Sequence, residues 1–320
     1  MNTTSSLNIH TFSATNIQST SVAAAPADRP VPVDLKVSCA INVYGSLSNT
    51  PDLFESDSNL VDLWNGPRAT SLSLGDCSDI SAAIIRNALN GDLNSSAAYL
   101  ASMVWQKPAE ILKKRGFSPK DSFLCSFDHE AAFPWKTNGC NEAYARMIVA
   151  LKCVFPNASF GMYGVPYRSV WESVIPERAG ELNAIDALTA KKNIGGFPHL
   201  YVPYDSWKNP DILNMTRLNL NRWKNSGFEI FGVYLSLMTD DSSHVKQKDP
   251  TTNRIDYSKY GNPVLGDTFN LVCREIANVF PGVPVLLWAG AETTAQAKTI
   301  YDLISTNFAP AVFKIREGKN

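Results

Sequence analysis

A single (β/α) barrel of seven or eight mostly parallel strands, TIM-barrel-like and preceded by a flexible N-terminal arm, is the fold class this sequence predicts. Three observations carry it. Short β-rich runs recur along the chain, and stretches of helical period separate the later ones, which is the pattern of a parallel sheet. No glycine-rich phosphate turn follows an early strand, as an open doubly wound sheet would require. Seven or eight such units within 320 residues suit a closed barrel.

The elements follow in order. Residues 1–32 are dominated by Ser, Thr, Asn and Ala and end in the Pro-rich hinge Arg29–Pro32, so they read as a flexible or extended arm. They lack the basic start and continuous apolar core of a secretory signal. Such an arm is able to tether the domain to an assembly partner. The barrel domain then spans 33–320. VDLKVSCAINVY (33–44) is the first predicted strand and ATSLSLG (69–75) a weaker second. DSFLCSFDHE (121–130), SFGMYGVP (159–166), PHLYVPY (198–204), EIFGVYLSL (229–237), VPVLLWAG (283–290) and AVFKI (311–315) follow. Helices are expected over 141–155, 267–280 and 294–308, each with apolar residues at a 3.6 period. Gly227 and Gly282 stand just past helical stretches, where a left-handed stop is expected. The stretch from Leu47 to Lys120 is long and irregular.

Composition excludes several classes of function. With 44% hydrophobic residues the chain can build a large core. A formal net charge of -1 gives no general attraction to nucleic acid or anionic lipid. No apolar run approaches the roughly 20 residues a transmembrane helix needs. The cysteines Cys39, Cys77, Cys125, Cys140, Cys153 and Cys273 form no CxxC pair and have no histidine at metal spacing. They are expected to be buried free thiols, which favours a reducing setting, cytoplasmic or virion-associated. No metal constellation is evident in the sequence.

SFDHEAAFPW (126–135) holds the chemistry. Two carboxylates, Asp128 and Glu130, close an apolar run one residue apart. Alternate strand residues share a face, so if both acids point to the lumen, Leu124 and Ser126 do too. Phe123, Cys125, Phe127 and His129 then face the helices. The inward set turns polar toward the strand's C-terminal end, where barrel enzymes build their sites. Asn42, Tyr44, Tyr163, Tyr201, Tyr204, Tyr234 and Trp288 fall near the same ends of other strands. Aromatic faces stack on sugar rings and phenols bond to sugar oxygens, so two acids beside such a ring suit a sugar cleft. A D-x-E at a strand end also serves merely as a helix cap, and strand aromatics commonly serve as core. Two positions along a strand separate Cα atoms by roughly 6.5–7 Å. Side chains so placed cannot readily act on opposite faces of one sugar. The spacing fits a mechanism in which the substrate's N-acetyl oxygen attacks, Asp128 orients it, and Glu130 protonates the leaving oxygen.

Several blocks resemble the hyaluronidase family of barrel glycosidases. DHEAAFP (128–134) is similar to that family's D-W-E-A-W-R-P, GMYGVP (161–166) to G-L-Y-G-F-P, and LYVPY (200–204) to L-Y-P-S-I-Y. Residues 283–315 follow its closing pattern of V-V-L-W-x-S, a helix, L-G-P and a last strand. The blocks occur in the same order across most of residues 35–315. The resemblance implies Glu130 as acid/base, Asp128 as the residue orienting the N-acetyl group, and Tyr201 or Tyr204, Tyr234 and Trp288 lining the sugar subsite. It implies a polysaccharide substrate and no cofactor. This chain departs from the pattern in three places: His129 replaces the Trp between the acids, Phe133 replaces an Arg, and Ala295 and Ala297 stand where a helix cysteine is expected.

His129 is expected to pack toward the helices, His199 to lie out of phase with the acids or to sit at a strand start, and His244 to be solvated in the polar loop 239–254. That loop follows a strand, so it belongs to the acids' face as a possible lid, with Asp240, Asp241 and Glu292 as reserve carboxylates. The leading reading is thus a retaining, substrate-assisted hydrolase of an N-acetylhexosamine polysaccharide. A catalytically inactive barrel, structural or glycan-binding in a virion or surface assembly, is the reading from another class. A third is a barrel hydrolase pairing Glu130 with Glu292 or Asp240.

Overall fold

The computed structural model describes residues 32–43, 54–73, 105–128, 140–164, 195–200, 212–236, 267–291 and 294–319. All belong to one compact unit, Val31–Asn320. Residues 1–31 of the predicted arm lie outside the described residues.

Strands and helices alternate as the periodicity predicts. β1 (Val37–Val43) and β2 (Arg68–Ser73) are followed by α1 (Gln106–Lys114) and β3 (Phe123–Asp128). Next come α2 (Cys140–Val154), β4 (Ser159–Tyr163), the short β5 (Gly195–Phe197), α3 (Ile212–Asn225) and β6 (Val233–Ser236). α4 (Asp267–Val279), β7 (Val285–Ala291), α5 (Thr294–Leu303) and α6 (Ala309–Arg316) complete the chain. Gly227 and Gly282, just past α3 and α4, sit at φ of 79° and 81°, a backbone region that side-chain-bearing residues disfavour. None of the described helices is long and apolar enough to cross a membrane.

Every ladder among the described residues is parallel, which makes this an α/β fold. One sheet has the order β2-β3-β4-β5 and the other β1-β7-β6. Single bridges link them: Gly196 pairs with Ile230 and His199 with Tyr234. Their hydrogen bonds are short, with Gly196 N–H donating to Glu229 O at 2.7 Å and Leu200 N–H to Tyr234 O at 2.8 Å. The strands therefore run in one sequence, β2-β3-β4-β5-β6-β7-β1.

The two faces of the strands separate by period two. Phe123, Cys125 and Phe127 of β3 join the large core with Leu151 and Phe155 from the helix side. Phe123 meets Phe117 at 4.3 Å between ring centroids and meets Phe155 edge-on at 5.5 Å. Burying each such ring contributes about 1.5–3 kcal/mol. The opposite face has its own cluster: Ala40 of β1, Leu124 of β3, Phe197 of β5, Tyr234 of β6 and Leu286 of β7. Residues of both sheets meet in it. Glycines make the room, since a Cβ on Gly161 would stand 2.4 Å from Gly195 O and one on Gly195 would enter the Phe231 ring.

The edge of β1 toward β2 is satisfied by a loop instead of a strand. Asn65 Oδ1 accepts from Val37 N–H at 2.9 Å, and Gly66 N–H donates to Val37 O at 2.9 Å. Arg316 fastens the same loop to the last helix, donating to Leu35 O (3.0 Å), Asp62 O (2.8 Å) and Leu63 O (2.8 Å).

Three expectations are corrected. AVFKI (311–315) is not a strand but the body of α6. Ile304, Phe308, Val312 and Ile315 are buried at helical spacing, so the apolar run belongs to a helix face. Pro310 sits in the first turn of α6, where a missing N–H is harmless, and a π-helical turn, Ile304–Phe308, joins α5 to α6. Cys153 is exposed on α2, while Cys39, Cys125 and Cys273 are buried free thiols. α1, inside the stretch expected to be irregular, has a clear buried face in Pro108, Ala109 and Leu112.

Candidate functional site

β3 brings its polar residues to one end. Ser71 of β2 is in register with Ser126, so their side chains share a face near the C-terminal ends of both strands, and the backbone of Ser73 is in register with Asp128. Asp128 is the last residue of β3 and is partly exposed. Ser126, one step deeper, is 1% exposed.

Tyr234 reaches across from β6. Its phenolic oxygen lies 2.7 Å from Ser126 Oγ, and it also hydrogen-bonds Ser71. The ring is 2% exposed. Burial pushes the phenol well above the usual tyrosine range and the Asp128 carboxylate adds to the effect, while the Ser126 and Ser71 hydroxyls oppose it. Tyr234 is therefore a neutral hydrogen-bonding group held close to Asp128.

Tyr163, closing β4, packs edge-on against Tyr234 at 5.4 Å between centroids. His199 also stacks on Tyr163, at 5.0 Å and 11° between planes. Trp288 of β7 and Phe231 pack on the same cluster. The tertiary structure thus gathers Asp128, Tyr163, Tyr234 and Trp288. Glu130, Tyr201 and Tyr204 lie outside the described residues, as do Tyr44, His129, His244, Asp240, Asp241 and Glu292. Asn42 lies on β1, in register with Gly290 of β7.

His199 corrects an expectation. It is not out of phase with the acids' face but fully buried in the aromatic group around Tyr163. The signal was present, because His199 and Tyr201 share parity along the strand, and an inward Tyr201 requires an inward His199. Ser71 was missed for another reason: β2 is short, weakly apolar and surrounded by irregular sequence. Its serines become legible only when its register with β3 is known.

Among the described residues no three His, Cys, Asp or Glu side chains lie close enough together to hold a metal ion. What the arrangement offers chemically is an acid at a strand tip, a buried neutral phenol close to it, and aromatic rings around that phenol.

No protein-family model matches the chain, and no curated protein matches it. Two solved structures of bee venom hyaluronidase are similar to it. One, in a monoclinic crystal, has a TM-score of 0.41 at 11% identity and covers 77% of this chain and 71% of its own. The other, in complex with a hyaluronic acid tetramer, has a TM-score of 0.46 at 13% identity, covering 67% and 76%. At that level of similarity neither structure assigns an activity to this chain.

Proposed function

We propose that this protein is a hyaluronidase-like glycoside hydrolase acting on an N-acetylhexosamine-containing polysaccharide, built on a TIM-barrel-like (β/α) barrel of seven or eight strands in which a loop stands between β1 and β2. The observation that supports it most is the placement of Asp128 at the C-terminal end of β3, close to the buried Tyr234–Ser126 pair, with Tyr163 and Trp288 packed on the cluster that holds Tyr234. The barrel is supported by the single strand sequence from β2 to β1 and by the inner cluster drawn from both sheets.

In this reading Glu130 protonates the glycosidic oxygen as the bond to the anomeric carbon breaks. The substrate's own N-acetyl oxygen forms the new bond to that carbon from the opposite face, and Asp128 holds the acetamido N–H. Glu130, now a carboxylate, takes a proton from water as it opens the cyclic intermediate, so configuration is retained. Tyr234, neutral and bonded to Ser126, orients Asp128. Tyr163, Tyr201, Tyr204 and Trp288 line the sugar subsite.

The test is release of reducing ends from hyaluronan, chondroitin and chitin oligosaccharides. Glu130→Gln is expected to lower kcat by about 10²–10⁴, with Asp128→Asn lowering it comparably. Release by the wild-type chain that persists in Glu130→Gln would reject the assignment of the acid. No release from any of the three would favour the structural or glycan-binding reading.

A further inference from the structure

The strand order has a break between β1 and β2, and a cavity of about 500 Å³ lies there. It sits beside Ser38 near the start of β1 and Arg68 at the start of β2, whereas Asp128 stands at the far ends of the strands. It is separate from the acids' site. Arg68, Lys114 and Arg115 line it against the one carboxylate of Glu55, and Trp64 adds an aromatic wall.

Both guanidinium groups are held in place by the protein. Arg115 Nη1 donates to Thr70 Oγ1 at 3.1 Å and to Ser71 O at 2.6 Å. Arg68 lies over the Phe117 ring, 4.4 Å from its centroid, and its Nε is 3.5 Å from Glu55. Cations positioned before a ligand arrives lose less freedom on binding it. The planar guanidinium fork matches a carboxylate or phosphate.

Ser38 points to the same use. It is 1% exposed, and its Oγ has no hydrogen-bond partner among the described residues. A buried hydroxyl in that state costs about 1–3 kcal/mol, which a ligand oxygen would recover. Gly66 keeps the hydroxyl clear, since a Cβ there would stand 2.4 Å from Ser38 Oγ.

We propose that this cavity binds a small oxyanion-bearing molecule, its phosphate or carboxylate held by Arg68, Lys114 and Arg115 and hydrogen-bonded by Ser38. The volume lies within the usual 300–1,000 Å³ range of ligand sites and admits a hexose phosphate.

Titration calorimetry of the full chain with inorganic phosphate, a hexose 6-phosphate and citrate tests this, with sodium chloride at equal ionic strength as the reference. Saturable binding is expected, at least about tenfold weaker in both Lys114→Gln and Ser38→Ala. The thermal midpoint is expected to rise by about 5 °C at a ligand concentration of 100 Kd. Preference for the two phosphates over citrate would assign a phosphoryl ligand, and the reverse a carboxylate. No heat with any probe, binding unchanged in both variants, or a midpoint rise equalled by sodium chloride would overturn the proposal. Lys114 is exposed on the last turn of α1, so its substitution leaves the fold intact and the readout clean.

Discussion

Tyr234 Oη and Ser126 Oγ meet at 2.7 Å across the inner face of the sheet, joining β6 to β3 through two side chains that are almost wholly buried. The pair connects the two sheets at the level just below Asp128. Replacing Tyr234 strands the Ser126 hydroxyl in a place with little access to water, while replacing Ser126 leaves Tyr234 with its bond to Ser71. Tyr234→Phe is expected to cost about 1–3 kcal/mol, and Ser126→Ala less, because Tyr234 keeps its bond to Ser71. The double variant is expected to lose clearly less than the sum. Urea unfolding of the four proteins measures this, and strict additivity would mean that the contact contributes nothing.

Gly161 of β4 is in register with Gly195 of β5. Gly161→Ala would press a methyl against the Gly195 carbonyl at 2.4 Å, and backbone cannot swing aside as a side-chain tip can. Overpacking of this kind costs about 1–3 kcal/mol. The thermal midpoint should fall accordingly, and an unchanged midpoint would show that β5 has slack in this region.

Buried thiols set an alkaline limit. Burial raises the Cys39 and Cys273 thiols far above their ordinary value of 9.0, and Glu55 raises Cys39 further. The unfolded chain loses these protons near pH 9 while the folded chain keeps them. Their contribution to stability is therefore complete below that pH and declines as pH rises above it. The decline approaches about 1.4 kcal/mol per pH unit for each thiol. Cys273→Ala is expected to be less stable at pH 8 but to show a shallower loss toward pH 10 in urea midpoints. Parallel curves for the two proteins would refute the assignment.

Arg316 is the bolt between the last helix and the first strand. Its guanidinium serves three backbone carbonyls, Leu35, Asp62 and Leu63, from a half-buried position. Arg316→Gln cannot reproduce that fork. A loss of about 2 kcal/mol or more is expected, given 1.5–3 kcal/mol for a single hydrogen bond to a charged group. Hydrogen exchange should show Val37 N–H, which bonds Asn65 of the same loop, opening faster in the variant.

Much of the strand face was legible from period two alone. In SFLCSFD the division of Leu124, Ser126 and Asp128 from Phe123, Cys125 and Phe127 follows from alternation; Phe123, Cys125 and Phe127 lie in the large core, Leu124 lies in the opposite cluster, and Ser126 bonds Tyr234 of that cluster. Helices α2, α4 and α5 were legible from their 3.6 period. AVFKI was misread because five apolar-rich residues fit either period. Only the burial of Ile304 and Phe308 upstream shows that a helix face continues through it.

By itself the sequence determined the parallel α/β class and which residues of β3 share the inner face, because both depend on local period and on the chirality of the chain. It also determined that an acid stands at the end of that strand. Tertiary structure decided the rest. The Tyr234–Ser126 bond spans 108 positions and the Arg316–Leu35 bond 281, and no local pattern encodes a partner that far away. The loop that replaces a strand at the edge of β1, and the charged cavity above it, exist because Asn65 and Gly66 answer the Val37 backbone where β2 does not. Such partners are chosen by hydrogen-bond satisfaction across the folded chain, which only the assembled structure reveals.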